Sequence, residues 1–226
     1  MGSKQLKLCM EVLRRLNKAG VLKNVLLIGS WCVPFYKEYF SGLKYATAIR
    51  TRDMDLLIPF PAKLRKKVDI PELLKDLGFV TGFRGRDGYI KLEHPELIIE
   101  FLVPEKGRTR TKPYPLPKLG LNAQALRFLN YLAQSSVKAP IGDISVNLPH
   151  PAYFALHKLI ISPRRRNKEK SEKDRKMAVS ILKSLIRKNE EGSVRQAFDS
   201  APQKWQKKIL AELRKTREKD ILEILP

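Results

Sequence analysis

The chain has 226 residues, long enough to bury a sizeable core as one large domain or two small ones. With 43% hydrophobic and 30% charged residues it reads as a folded globular protein, which excludes a disordered or fibrous chain. Its 45 Lys and Arg against 23 Asp and Glu leave a formal net charge of +22, which predicts attraction to polyanions such as RNA, DNA, nucleotides or an anionic membrane surface.

The opening "MGSKQLKLCMEVLRRL" reads as an amphipathic helix, with Leu6, Met10, Leu13 and Leu16 near helical spacing and Gly20 as its C-terminal cap. It lacks the apolar core of a signal peptide, and no apolar run reaches the ~20 residues that span a bilayer, so no membrane is expected and a cytoplasmic location follows by default. A short strand, Val25–Ile28, ends at Gly29-Ser30, and "WCVPFYKEYF" follows as a helix with Pro34 in its first turn. Its aromatic residues Trp31, Phe35, Tyr36, Tyr39 and Phe40 are expected in the core. "ATAIRTRDMDLLIPF" is the second strand, "PELLKDLGF" a short helix, and "TGFRGRDG" a turn-rich loop. "YIKLEH" and "LIIEFLVP" are strands separated by a turn at Pro95-Glu96.

Residues 105–120, basic and rich in proline, read as a linker or extended binding loop. Beyond lie an apolar helix ("NAQALRFLNYLAQ"), a strand ("DISVNLP") and a helix opened by proline ("PAYFALHKLIIS"). The charge-dense "PRRRNKEKSEKDRK" is expected as a largely solvated loop leading into "MAVSILKSLIRKN". The last helix is expected from "SAPQKW", where Ser200 and Gln203 have capping-box spacing, nearly to Pro226. The fold class is therefore α+β, a small mixed sheet flanked by helices and then a mainly helical region. The domains are expected at 1–118 and 119–226.

Two cysteines, Cys9 and Cys32, give no disulfide framework, and His94, His150 and His157 show no metalloenzyme spacing. The chemistry concentrates elsewhere. In a strand, Asp53 and Asp55 project from one side, roughly 6.6 Å apart, while Met54 and Leu56 point into the core. Unpaired carboxylates beside a core cost several kcal/mol, and hard cations prefer such oxygen ligands. "LLIGSW" closes a strand on Gly29-Ser30 at a helix start, where backbone N–H groups favour a phosphate. Alone it reads more readily as an ordinary strand–helix turn capped by Ser30. Glu100 interrupts an aliphatic strand, and Lys158 an apolar helix, so each wants a partner.

In order, "IGS" at 28–30, "DMD" at 53–55 and "IEF" at 99–101 resemble the nucleotidyltransferase superfamily that includes DNA polymerase beta. Arg50-Thr51 before the aspartates resembles the variant seen in abortive-infection-type toxin nucleotidyltransferases. The resemblance covers roughly residues 20–104. It implies a catalytic domain in which Asp53, Asp55 and Glu100 bind Mg2+ (or Mn2+) on a nucleoside triphosphate, with Gly29 and Ser30 on its phosphates. Glu100 completes a second metal site or serves as base. By looser resemblance Lys158 touches the phosphates, one of Arg164–Arg166 assists (Arg164 being the first), and Asp174 helps fix the site. The implied reaction moves a nucleotidyl group to a hydroxyl acceptor. RNA, and tRNA above all, suits the charge, and an antitoxin-like protein partner fits a toxin-like enzyme. A nucleic-acid- or nucleotide-binding module that keeps the fold without turnover is the rival reading.

Overall fold

Cys9, Val12, Leu13 and Leu16 form the buried stripe of helix α1 (Lys4–Lys18), while Leu6 and Met10 are only half-buried. The computed structural model describes residues 4–43, 51–61, 64, 66–105, 107 and 112–225. They divide into two compact units, 4–39 with 51–148 and 40–43 with 149–225.

The first unit continues with β1 (Leu26–Ile28), the one-turn helix α2 (Cys32–Phe35), β2 (Asp53–Leu57), α3 (Ile70–Leu74), β3 (Val80–Arg84), β4 (Tyr89–Glu93) and β5 (Ile98–Pro104). It ends with β6 (Tyr114–Leu116), β7 (Leu121–Leu126), α4 (Leu129–Leu132), β8 (Ser136–Ile141) and β9 (Ile144–Pro149). The strands β1-β2-β5-β4-β3 are neighbours in that order within a seven-stranded sheet, with β7 beside β5 and β6 beside β7. β2 with β5 and β5 with β7 are parallel, while β1 with β2, β5 with β4 and β4 with β3 are antiparallel. The sheet is thus mixed, as the α+β reading expects.

One face of this sheet is core: Leu27, Met54, Leu56, Leu92, Ile99 and Phe101 are buried. Along Asp53–Leu56 and Ile98–Phe101 they alternate with half-buried or exposed residues, the two-residue period of a strand, while Leu26, Ile28, Leu57 and Leu102 are buried on the other face as well. Four expectations give way here. "TGFRGRDG" is largely strand, because β3 pairs with β4 along its length and only residues 85–88 turn, with Gly85 and Gly88 at positive φ. The helix expected over "NAQALRFLNYLAQ" is β7 followed by one helical turn; pairing of Gln124 with Leu102 of β5 outweighs local helix propensity. β6 lies inside the expected linker. The helix after Gly29-Ser30 is a 3-10 turn and α2 only, and Tyr39 is half-buried rather than core. Residues 119–148 lie in this unit, since β7 extends its sheet.

The second unit is helical: α5 (Pro151–Ile161), α6 (Lys168–Arg187), α7 (Glu191–Asp199), α8 (Gln203–Thr216) and α9 (Lys219–Glu223). α5 is buried from Pro151 through Ile160, the pattern of a central helix. His150 Nδ1 caps it by accepting the Ala152 N–H at 3.2 Å. Most of the expected charge-dense loop is instead the first half of the 20-residue α6, capped by Asn167, which accepts the Lys170 N–H at 3.0 Å. The capping box at Ser200 does not form: Ser200 Oγ donates to the Ala197 carbonyl at 2.8 Å, and α8 starts after Pro202. Glu212, buried on α8, accepts the Ser162 hydroxyl at 3.2 Å and lies 3.0 Å from Arg175 Nε. Among the described residues no helix is long and apolar enough to cross a membrane.

His157 packs inside α5 with its Nε2 unbonded, and burial pushes its pKa down to about 3 from 6.5. The unfolded chain therefore takes up a proton below pH 6.5 that the folded chain refuses until about pH 3. Stability present above pH 6.5 is lost through that window, with a slope of at most about 1.4 kcal/mol per pH unit. In a His157→Leu variant the fall of melting temperature between about pH 6 and pH 4 should flatten. An unchanged slope would show that His157 does not carry it.

Candidate active site

On the sheet face opposite the core, the register builds a row of side chains. Ile28 of β1 pairs with Asp55 of β2, Asp55 with Glu100 of β5, and Glu100 with Lys91 of β4. Paired residues share a face, at about 4.8 Å from strand to strand. Two residues away on β2, Asp53 shares that face and is exposed, whereas Asp55 is half-buried. The row therefore brings two of the three acidic residues side by side and places the third next to them.

Gly29 explains how the half-buried Asp55 fits. Its φ is +73°, and a Cβ at this position would overlap the Asp55 carboxylate, coming within 3.3 Å of Cγ. Only glycine meets both conditions at low cost. The Gly-Ser turn and the Asp-x-Asp strand are thus one construction, with the carboxylate lying against the backbone of the turn. Ser30 follows half-buried in the 3-10 turn Gly29–Trp31.

Thr51 supports the strand entrance: its Oγ1 accepts the Asp53 N–H at 3.3 Å, and its carbonyl accepts from Gln5 Nε2 at 2.6 Å. Arg50 lies outside the described residues. The neighbouring Arg52 donates to the His94 carbonyl at 3.0 Å. Glu100 has a cation of its own. Lys91 Nζ donates to Glu100 Oε1, with side chains only 26% and 16% exposed. Nearby on β4, Glu93 accepts from Arg84 Nε at 2.9 Å.

Lys158, Asp174 and the arginines lie in the helical unit. Lys158 Nζ donates to Asp174 Oδ1 at 2.7 Å, and Arg165 Nε to Oδ2 at 2.8 Å. Burial alone would raise the Asp174 carboxyl, but Lys158 and Arg165 outweigh it and hold it below the usual carboxylate range. The partner that a lysine in an apolar helix demands is therefore Asp174. Arg165 is the arginine that joins it, and Arg164 sits exposed at the end of the preceding 3-10 turn.

Asp53 and Asp55 suit a hard divalent cation in donor type and shared face, and no ion pair to Asp53 forms among the described residues. The three acidic residues do not form a closed cage: among the described residues no three His, Cys, Asp or Glu side chains gather as a metal site. Lys91, not a metal ligand, is the partner of Glu100. Lys91 is also what the sequence reading missed. A lysine between Ile90 and Leu92 in a half-buried strand was the available signal, and only the register gives it a partner.

Comparison with known proteins gives the family and the fold. A nucleotidyltransferase family model matches residues 7–203. No curated protein matches the sequence. An antigenic nucleotidyltransferase-like protein from Paracoccidioides brasiliensis shares the fold at a TM-score of 0.52 and 15% identity, covering 96% of this chain and 91% of that one. ANT(2")-Ia, solved in complex with adenylyl-2"-tobramycin, does so at a TM-score of 0.51 and 10% identity, covering 95% of this chain and 99% of that one. With the family model spanning most of its length and the glycine–aspartate construction in place, this chain belongs to the nucleotidyltransferase family.

Proposed function

We propose that the chain moves a nucleotidyl group from a nucleoside triphosphate to a hydroxyl on RNA, tRNA in the first place, using a divalent cation held by Asp53 and Asp55. The observation that carries this reading is the fit of Gly29 to the Asp55 carboxylate. A turn built to press glycine backbone against a carboxylate brings a triphosphate-sized ligand close to both. The Gly29-Ser30 backbone would meet the triphosphate tail. When bound, Mg2+ or Mn2+ would draw negative charge off the phosphates and ease departure of pyrophosphate.

The chain's own groups then divide the remaining work. The acceptor oxygen bonds to the α-phosphorus as the bond to the β-phosphate oxygen breaks, and that electron pair leaves with pyrophosphate. The acceptor's proton goes to Glu100, which stands beside Asp55 in the row. The pair of Lys158 with Asp174 points to a role in holding the helical unit together. The net charge of +22 favours a polyanionic acceptor, whereas a cationic small molecule would meet a surface of its own sign. Arg166, Lys168, Lys170 and Lys173 are exposed at the start of α6 and would add phosphate contacts. A toxin role draws no support from these residues and is not part of the proposal.

A second reading has one specific observation behind it. With Glu100 held by Lys91, the chain could bind a nucleotide without turnover.

Incubation with each labelled NTP, Mg2+ or Mn2+ and total RNA tests both readings. Label should move to RNA, and Asp55→Ala should reduce transfer by at least about 100-fold while circular dichroism stays unchanged. Nucleotide-dependent melting with no transfer from any NTP would leave the binding reading standing instead. Gly29→Ala meets both a left-handed backbone and the Asp55 carboxylate, so it should cost about 1–3 kcal/mol of stability. Label transfer should disappear with it; a variant as active as the parent would refute the construction. RNA affinity should fall by about 1000-fold or more from 50 to 200 mM salt if the basic surface makes six or more phosphate contacts, as filter binding would report.

A further inference from the structure

We propose that this site works with a single divalent cation, and that the Lys91 ammonium supplies the positive charge a second ion would bring to Glu100. The inference rests on the nucleotidyl-transfer reading and chooses between the two roles open to Glu100.

Three observations carry it. Register puts Asp55, Glu100 and Lys91 on one face of three adjacent strands, so the ammonium occupies the flank of Glu100 away from the aspartates. Lys91 Nζ donates directly to Glu100 Oε1, and both side chains are largely shielded from water, which strengthens the pair relative to one in bulk solvent. Among the described residues, no three acidic, His or Cys side chains gather as a metal site.

Charge sharpens the choice. A second ion on Glu100 would sit within a few ångströms of the ammonium and repel it. It would have to displace a formed ion pair to gain a ligand. Among the described residues the other carboxylate of β4, Glu93, is engaged by Arg84.

Glu100 is then a proton acceptor rather than a metal ligand. As the acceptor oxygen bonds to the α-phosphorus, its proton passes to a Glu100 carboxylate oxygen and on to water, while pyrophosphate takes the electron pair of the broken bond. Lys91 does not touch the reacting atoms. It is a positioning residue that keeps Glu100 in place and keeps a second cation out.

Mn2+ titration of the full chain, followed by electron paramagnetic resonance with saturating α,β-methylene-ATP, counts the ions directly. The unaltered chain should bind about one Mn2+, Lys91→Gln about two, and Lys91→Arg about one again. In Glu100→Gln the count should stay at about one, because that carboxylate was never a ligand. Two ions on the unaltered chain would overturn the inference by themselves, whatever the variants do. An equal count in the unaltered chain and a folded Lys91→Gln would overturn it as well. The count does not depend on turnover, so a chain that binds one ion and transfers no label ends the transfer reading and the part of Glu100 as proton acceptor, while the single ion and the role of Lys91 stand. No bound Mn2+ in any form would end both this inference and the metal reading.

Discussion

Parallel pairing of β2 with β5 sets Asp55 against Glu100, and the positive φ of Gly29 gives the Asp55 carboxylate its space. Every feature of the candidate site depends on that pairing. Met54, Leu56, Ile99 and Phe101 anchor the same two strands into the core from the opposite face. A slip of one residue would bring the acidic side chains to the core face and expose the aliphatic ones. Burial of the apolar set thereby holds the carboxylates in register. The fold's largest source of stability and its chemical row are two faces of one pair of strands.

Charges in this protein are managed locally despite the strong excess of basic residues. Glu100 has Lys91, Glu93 has Arg84, Asp174 has Lys158 and Arg165, and Glu212 has Arg175. The buried members of these pairs could not remain ionised without partners. The excess that remains is positive, and much of it lies outside. Lys168, Lys170 and Lys173 are exposed on α6, and Asp174 is the buried carboxylate of that stretch. Surface charge and buried charge thus serve different ends, attraction of a polyanion in one case and fixed helix packing in the other.

Expectations about secondary structure failed where a pairing strand, near or far in sequence, decides the outcome. Residues 121–126 carry Leu, Ala and Gln in a pattern compatible with a helix, yet they complete a sheet because β5 offers an edge there. Residues 80–84 include Gly82 and sit among turn-forming residues, but β4 recruits them as a strand. In the helical unit the error ran the other way. A stretch so dense in charge reads as a loop until Asp174, Met177, Ala178 and Ile181 are seen buried along one side of α6.

The amino-acid sequence alone determined the family resemblance, because a glycine-serine turn, an Asp-x-Asp strand and an isolated glutamate are each encoded within a few consecutive residues. It also showed that Glu100 and Lys158, each stranded among aliphatics, require partners. Which partners they take was decided only by tertiary structure. Lys91 reaches Glu100 through the register of two antiparallel strands, and Asp174 meets Lys158 by the packing of α6 on α5. Both outcomes depend on where separate segments come to rest against one another. That is a property of the assembled core, and no local pattern of residues specifies it.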